Sequence, residues 1–140
     1  MEMHVRDAFS VLLTEAVQLA AVMEYDGNAI KHIKNPSEGL KLAAVTQDGY
    51  AIKHIKNPSE QVKLAAVTQE VWVMRYVKNP SEALKLAAVT QNGNAIAYIK
   101  NPTEEIQLVA VMCGEHAIRY IKNPSEAVKR ASRKYKCIGR

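Results

Sequence analysis

Serine beside glutamate, histidine, cysteine and a regularly spaced lysine are the residues of this chain that could do chemistry. Each Ser-Glu pair, as at Ser37-Glu38, Ser59-Glu60 and Ser81-Glu82, sets a hydroxyl nucleophile next to a carboxylate base. Covalent catalysis needs a base that reaches the hydroxyl and a third group that orients it. Here the two residues are sequence neighbours, and no His recurs at a matching interval. Helix capping explains these pairs better. Of the histidines (His4, His32, His54, His116), His32 and His54 hold the position that Tyr76, Tyr98 and Tyr120 hold further along. An aromatic with a polar tip, half-buried between helices, is expected at all five. No H-x-x-x-H or C-x-x-C spacing occurs, and Cys113 with His116 makes only two ligands. No metal site is expected. The chain has no G-x-G-x-x-G and no G-x-x-x-x-G-K-[ST], so no nucleotide loop is expected either. The expectation is a protein without catalytic residues or a cofactor, not an enzyme.

A Lys recurs at 34, 56, 78, 100 and 122. On stacked repeats such positions form a stripe, and a lysine stripe could track phosphates. The plainer reading has each Lys closing the C-terminal end of its own helix, paired by a nearby Glu. The charge distribution favours the plainer reading. Residues 122–140 carry seven Lys or Arg against one acid, whereas the other 121 residues sum to −1 out of a net +5. The basicity belongs to the C-terminal end.

The elements that must position these residues follow from a repeat. Asn-Pro occurs at Asn35, Asn57, Asn79, Asn101 and Asn123, each 22 residues after the last. The units run 34–55, 56–77, 78–99 and 100–121, preceded by a degenerate unit at 10–33 and an N-terminal cap at 1–9. A basic half-unit, 122–140, closes the array. Self-similarity at this period with atypical ends marks a repeat architecture. In "NPSEALKLAAVTQ", Asn79 is suited to cap a helix, Pro80 to open it, and Glu82 to bond back to Asn79 while pairing with Lys85. Leu84, Ala87 and Ala88 form an i, i+3, i+4 face, widened by Leu86 and Val89. The turn "TQNG" or "TQDG" then caps a second short helix, in which Ile96 and Ile99 share a face. The Asn before each Pro should adopt an extended backbone and stop that helix. The expected fold is an all-α solenoid of about five short helix-turn-helix repeats in one domain, 1–140. No apolar run is long enough to span a bilayer. The N-terminus does not read as a secretory signal, and with two cysteines, Cys113 and Cys137, the expected compartment is the reducing cytoplasm.

The unit "AIKHIKNPSEQVKLAAVTQ", repeated over about residues 26–131, resembles a family of helical-repeat domains. That family is built from tandem A-I-x-x-I-K-N-P-S-E-x-V-x-L-A-A-V-x-x-N-G units. The resemblance implies the fold and carries no assigned activity. Similar repeats occur in viral and intracellular-bacterial proteins, which implies contact with host components. Two stretches depart from the pattern: "EVWVM" at 70–74 and "CGEHA" at 113–117 replace the Asn-Gly turn.

Positions constant between copies should serve the fold, leaving the variable ones for individual contacts. The variable columns are Asn28, Tyr50, Trp72, Asn94, His116, then Lys31, Lys53, Arg75, Ala97, Arg119, and Gly39, Gln61, Ala83, Glu105, Ala127. Trp, Tyr and Arg dominate interface hot spots, so Tyr50, Lys53, Trp72, Arg75, His116 and Arg119 are the candidate partner-binding set. A Trp filling a groove between repeats is the structural alternative. The expected function is non-catalytic binding of another protein, as adaptor or inhibitor. The alternative is sequence-independent binding of nucleic acid, or contact with an acidic partner, through the Lys stripe and Lys129, Arg130, Arg133, Lys134 and Lys136. A homodimer covering the end faces is a further expectation.

Overall fold

The computed structural model describes residues 15–24 and 26–135; His4, Lys136 and Cys137 lie outside them. Among the described residues there is no strand, and the chain is an all-α repeat fold of the solenoid type. It divides into two compact units between Gln69 and Glu70. The first holds α1 (15–24), η1 (Gly27–His32), α2 (Glu38–Gln47), η2 (Gly49–His54) and α3 (Glu60–Gln69). The second holds η3 (Val71–Tyr76), α4 (Glu82–Gln91), η4 (Gly93–Tyr98), α5 (Glu104–Cys113), η5 (Ala117–Tyr120) and α6 (Glu126–Tyr135). In each unit, neighbouring repeats pack α-helix on α-helix, with a 3-10 helix against the α-helix that follows it.

The α-helix keeps its expected face: Leu84 (1% exposed), Ala88 and Val89 are buried, with Leu86 and Ala87 half-buried. The same register buries Leu40, Ala44 and Val45 in α2 and Ile106, Ala110 and Val111 in α5. Ala at the central position admits close approach of the next repeat, and packing of such faces supplies most of the stability of helices only ten residues long. The second element of each repeat is a 3-10 helix, held by i→i+3 bonds such as Ile99 N–H to the Ile96 carbonyl, 3.0 Å. It is four to six residues long, short as helices go but mostly beyond the three or four residues usual for this tighter winding. Ile96 and Ile99 are buried on its inner side, and Asp26, Asp48 and Asn92 cap it, each accepting the N–H two residues ahead.

The joint between the two elements differs from expectation. Asn35, Asn57, Asn79, Asn101 and Asn123 have φ between 47° and 52°, in the left-handed region, instead of an extended backbone. Asn tolerates this conformation better than most residues, because its short side chain bonds locally. The helix cap falls two residues later. Ser81 Oγ accepts the Leu84 N–H at 3.1 Å, and Glu82 is the first helical residue, so it cannot close a capping box with Asn79. Glu82 does pair with Lys85, at 2.9 Å.

The capping serines also join repeats. Ser125 Oγ accepts the Val128 N–H and donates its proton to Glu104 at 2.6 Å; Ser59 caps α3 and donates to Glu38. At these two joints the Ser-Glu pairs are thus split between partners, Ser59 and Ser125 each bonding the Glu of the previous repeat. This geometry satisfies a helix end and clasps a stack.

Candidate functional site

Of the six partner-binding candidates, Trp72 and Arg75 are brought together, and they recruit two tyrosines. The departure at 70–74 makes this arrangement. In the standard repeat, Gly sits where the 3-10 helix meets the next α-helix; a β-carbon on Gly93 would overlap the Ala110 carbonyl oxygen, and one on Gly27 the Ala44 carbonyl oxygen. Val71 occupies that position in η3, where it is buried, and η3 lies more loosely on α4 than η4 does on α5. Glu70 takes over the capping task at a longer reach, its carboxylate accepting the Trp72 N–H at 3.5 Å.

Trp72, half-buried, meets Tyr98 of the next repeat edge to face, with ring centroids 6.0 Å apart and planes at 77°. The Arg75 guanidinium lies 5.8 Å from the Tyr98 ring centroid and 5.4 Å from that of Tyr76. Such edge-to-face pairs contribute about 0.5–1.5 kcal/mol beyond their buried area, and exposed cation–π contacts about 0.5–1 kcal/mol. Tyr76 and Tyr98 keep 41% and 39% of their surface in solvent. The cluster is therefore a pre-ordered apolar and cationic surface with its tyrosines facing water.

Tyr50, half-buried, and Lys53, exposed, belong to the first unit. His116 and Arg119 are exposed in the second, and the His116 N–H donates to Asn94 Oδ1 at 3.1 Å. Asn94 thereby stitches two repeats, as Asn28 does by donating to Asp48 Oδ2 at 2.9 Å. Two members of a variable column thus serve stacking instead of standing free for other contacts. Lys34, Lys56, Lys78, Lys100 and Lys122 are all exposed, and the ion pairs formed among the described residues are Lys85–Glu82 and Lys129–Glu126, not pairs with these lysines. The expected pairing of the Lys stripe by nearby Glu is thus not formed. On α6, Lys129, Arg130, Arg133 and Lys134 share one short helix whose buried residue is Val128. Cys113 is exposed and free, and no group of three metal-ligating side chains occurs among the described residues.

The histidine and tyrosine column is more exposed than expected: His32, Tyr76, Tyr98 and Tyr120 are exposed, and His54 alone of the five is half-buried. Burial, then Lys53, Lys31 and His32, push the His54 ionisation below its ordinary value of 6.5, against a smaller opposing pull from Asp26. The unfolded chain therefore takes up this proton first as pH falls. Folding stability is unaffected by the group above about 6.5 and declines as pH drops through the lowered folded value. His54→Tyr, which places here the residue of the later repeats, is expected to remove this part of the acid sensitivity. Urea midpoints compared at about pH 7.5 and pH 5.5 measure it, and an unchanged difference between the two would refute the assignment.

Sequence reasoning found Trp72 and Arg75 by residue type but missed Tyr98 as their partner. The signal was present: the repeat places Tyr98 at the position one repeat beyond Tyr76. No protein-family model, curated protein or solved structure matches this chain.

Proposed function

We propose that this chain is a non-catalytic binding module that engages another protein through the Trp72, Arg75, Tyr76 and Tyr98 cluster. The observation that carries this reading is the edge-to-face and cation–π arrangement itself, at a place where the repeat abandons its own Asn-Gly turn. Aromatic rings held in fixed orientation lose little entropy on binding and dominate hot spots. An adaptor and an inhibitor that occupies a host or cellular factor in the cytoplasm fit this surface equally, in keeping with the resemblance to viral and intracellular-bacterial repeats. His116 and Arg119 extend the same reading along the second unit. Tyr50 and Lys53 offer a similar pair in the first.

The test is a pull-down with the whole chain and with Trp72→Ala/Arg75→Ala, at low and high salt and with nuclease-treated duplicates. A protein that survives high salt and nuclease with the parent chain, and is lost with the variant at unchanged helicity, is the expected outcome. Retention by the variant would exclude this surface.

The basic run on α6 favours a second reading, sequence-independent nucleic-acid binding. There, affinity falls steeply with salt and is removed by Arg130→Gln/Arg133→Gln/Lys134→Gln. A flat salt response excludes it.

A further inference from the structure

The first unit carries an open groove of about 740 Å³ lined by Lys31, His32, Lys34, Lys41, His54 and Lys56, with Ile30, Ile33, Asn35 and Pro36 completing its walls. Every ionisable side chain lining it is basic, and its volume lies within the range of small-molecule sites, about 300–1,000 Å³. No carboxylate lines it, and Asp26 exerts only a smaller opposing pull on His54. Asp26 and Asp48 cap the 3-10 helices, and Glu38, three residues before Lys41, accepts the Ser59 hydroxyl. The contrast with α4 is direct, since there Glu82 holds the corresponding Lys85.

The repeat supplies its own comparison. Moving the groove residues three periods along replaces Lys31 by Ala97, His32 by Tyr98, Lys41 by Gln107 and His54 by Tyr120, leaving Lys100 and Lys122. Gln107 turns back to donate to the Pro102 carbonyl at 3.0 Å. The shared architecture therefore does not require Lys31, Lys41 or the two histidines; two periods along, Arg75, Lys78, Lys85 and Lys100 keep four cations, and there both histidines are tyrosines and Glu82 holds Lys85.

We propose that this groove is a binding site for a compact small molecule bearing clustered phosphates. Lysines on η1, on α2 and at two successive joints surround one volume, and each ammonium presents three donors to phosphate oxygens. No Arg lines it, so the anion is held by lysine point charges and not by the two-pronged fork that grips phosphate and carboxylate alike. Ile30, Ile33 and Pro36 give an apolar wall for the ligand's non-phosphate part. Burial first, and then repulsion from Lys53, Lys31 and His32, hold the His54 ionisation down, so the positive charge around the groove contributes to that shift. Phosphates would relieve that repulsion. Its residues all belong to the first unit and none to the aromatic cluster, so binding here does not depend on that cluster.

Calorimetric titration of the whole chain with inorganic tripolyphosphate at fixed ionic strength is the test. Adenosine triphosphate, inositol hexakisphosphate and a 20-nucleotide single strand are run in parallel. One tripolyphosphate per chain is expected to bind, and Lys31→Ala/Lys41→Gln to weaken it by about tenfold or more per lysine, the scale of a lost charge-assisted hydrogen bond. Both replacements are residues the repeat already holds at 97 and 107, and an unchanged circular dichroism spectrum confirms folding. Tighter binding of either organic phosphate, with the same loss in the variant, supports the site and names the source of the phosphates. No saturable binding, or equal binding by the variant, overturns it. An oligonucleotide that binds through the same lysines more tightly than the compact anions also overturns it, in favour of a phosphate track.

Discussion

A single methyl group added at Gly93 is expected to destabilise the second unit by about 1–3 kcal/mol, the range for forced overpacking, or more. The backbone at Gly93 is not left-handed, so conformational freedom is not the reason for glycine. The reason is distance. A β-carbon there would run into the Ala110 carbonyl oxygen and the Gly114 amide nitrogen, which belong to backbone and cannot swing away. Relief requires the whole of η4 to move off α5. At η3 the chain makes that adjustment for Val71, but η4 is additionally tied to the next repeat by the Asn94–His116 bond, 3.1 Å. Gly93→Ala therefore strains or breaks a bond that η3 does not have to defend. Trp72 is the chain's one tryptophan, so urea unfolding followed by its fluorescence reports on the affected unit. A wild-type midpoint for Gly93→Ala would show that the contact is softer than the geometry implies.

The second large effect is expected at the joints. Asn101→Val should cost about 1–3 kcal/mol, because φ of 50° places a β-branched side chain against the neighbouring carbonyl. Asn101→Gly should stay within about 1 kcal/mol of the parent, since glycine reaches this region without a steric penalty. The comparison isolates backbone conformation from the loss of the Asn side chain, which both variants share. Equal midpoints for the two in thermal unfolding would mean that the left-handed joint is not what asparagine is there for.

How far the sequence foretold these features depends on how many roles each residue type can play. The period, the all-α class and the buried face at Leu84, Ala88 and Val89 were legible because helical spacing recurs in every copy. Asn79 was ambiguous, since asparagine is favoured both at a helix cap and in the left-handed region. The pre-proline rule pointed to an extended backbone, whereas the cap went to Ser81. The Ser-Glu pairs were recognised as capping residues, but the bond from Ser125 to Glu104 joins side chains 21 residues apart and only stacking reveals it. Trp72 and Arg75 stood out as residue types. Their convergence on Tyr98 depended on Val71 holding η3 off α4, a packing effect with no local signature. The basic groove was hidden because His32 and His54 read as stand-ins for tyrosine and the Lys column as helix-end charges. The bond from Ser59 to Glu38, which takes up the carboxylate equivalent to the Glu82 that holds Lys85, is again tertiary.

The Asn-Pro joint also governs how this chain ages. Asparagine deamidates when the next residue's backbone nitrogen attacks the side-chain amide, and proline has no N–H to lend. The five left-handed asparagines, on which the repeat geometry rests, are thereby protected from that route in the folded and the unfolded chain alike. The one Asn-Gly sequence, Asn92-Gly93, is the exposed point. There the side-chain oxygen is engaged by the Asn94 N–H at 3.0 Å. Simple hydrolysis to aspartate would leave the residue that already caps η1 and η2, at Asp26 and Asp48. Only the isoaspartyl product, with its extra backbone carbon, would disturb the close approach at Gly93. Chemical damage is thus steered away from the five joints and toward Asn92-Gly93, where aspartate keeps the cap but isoaspartate, the main product of succinimide opening, falls beside the closest backbone approach.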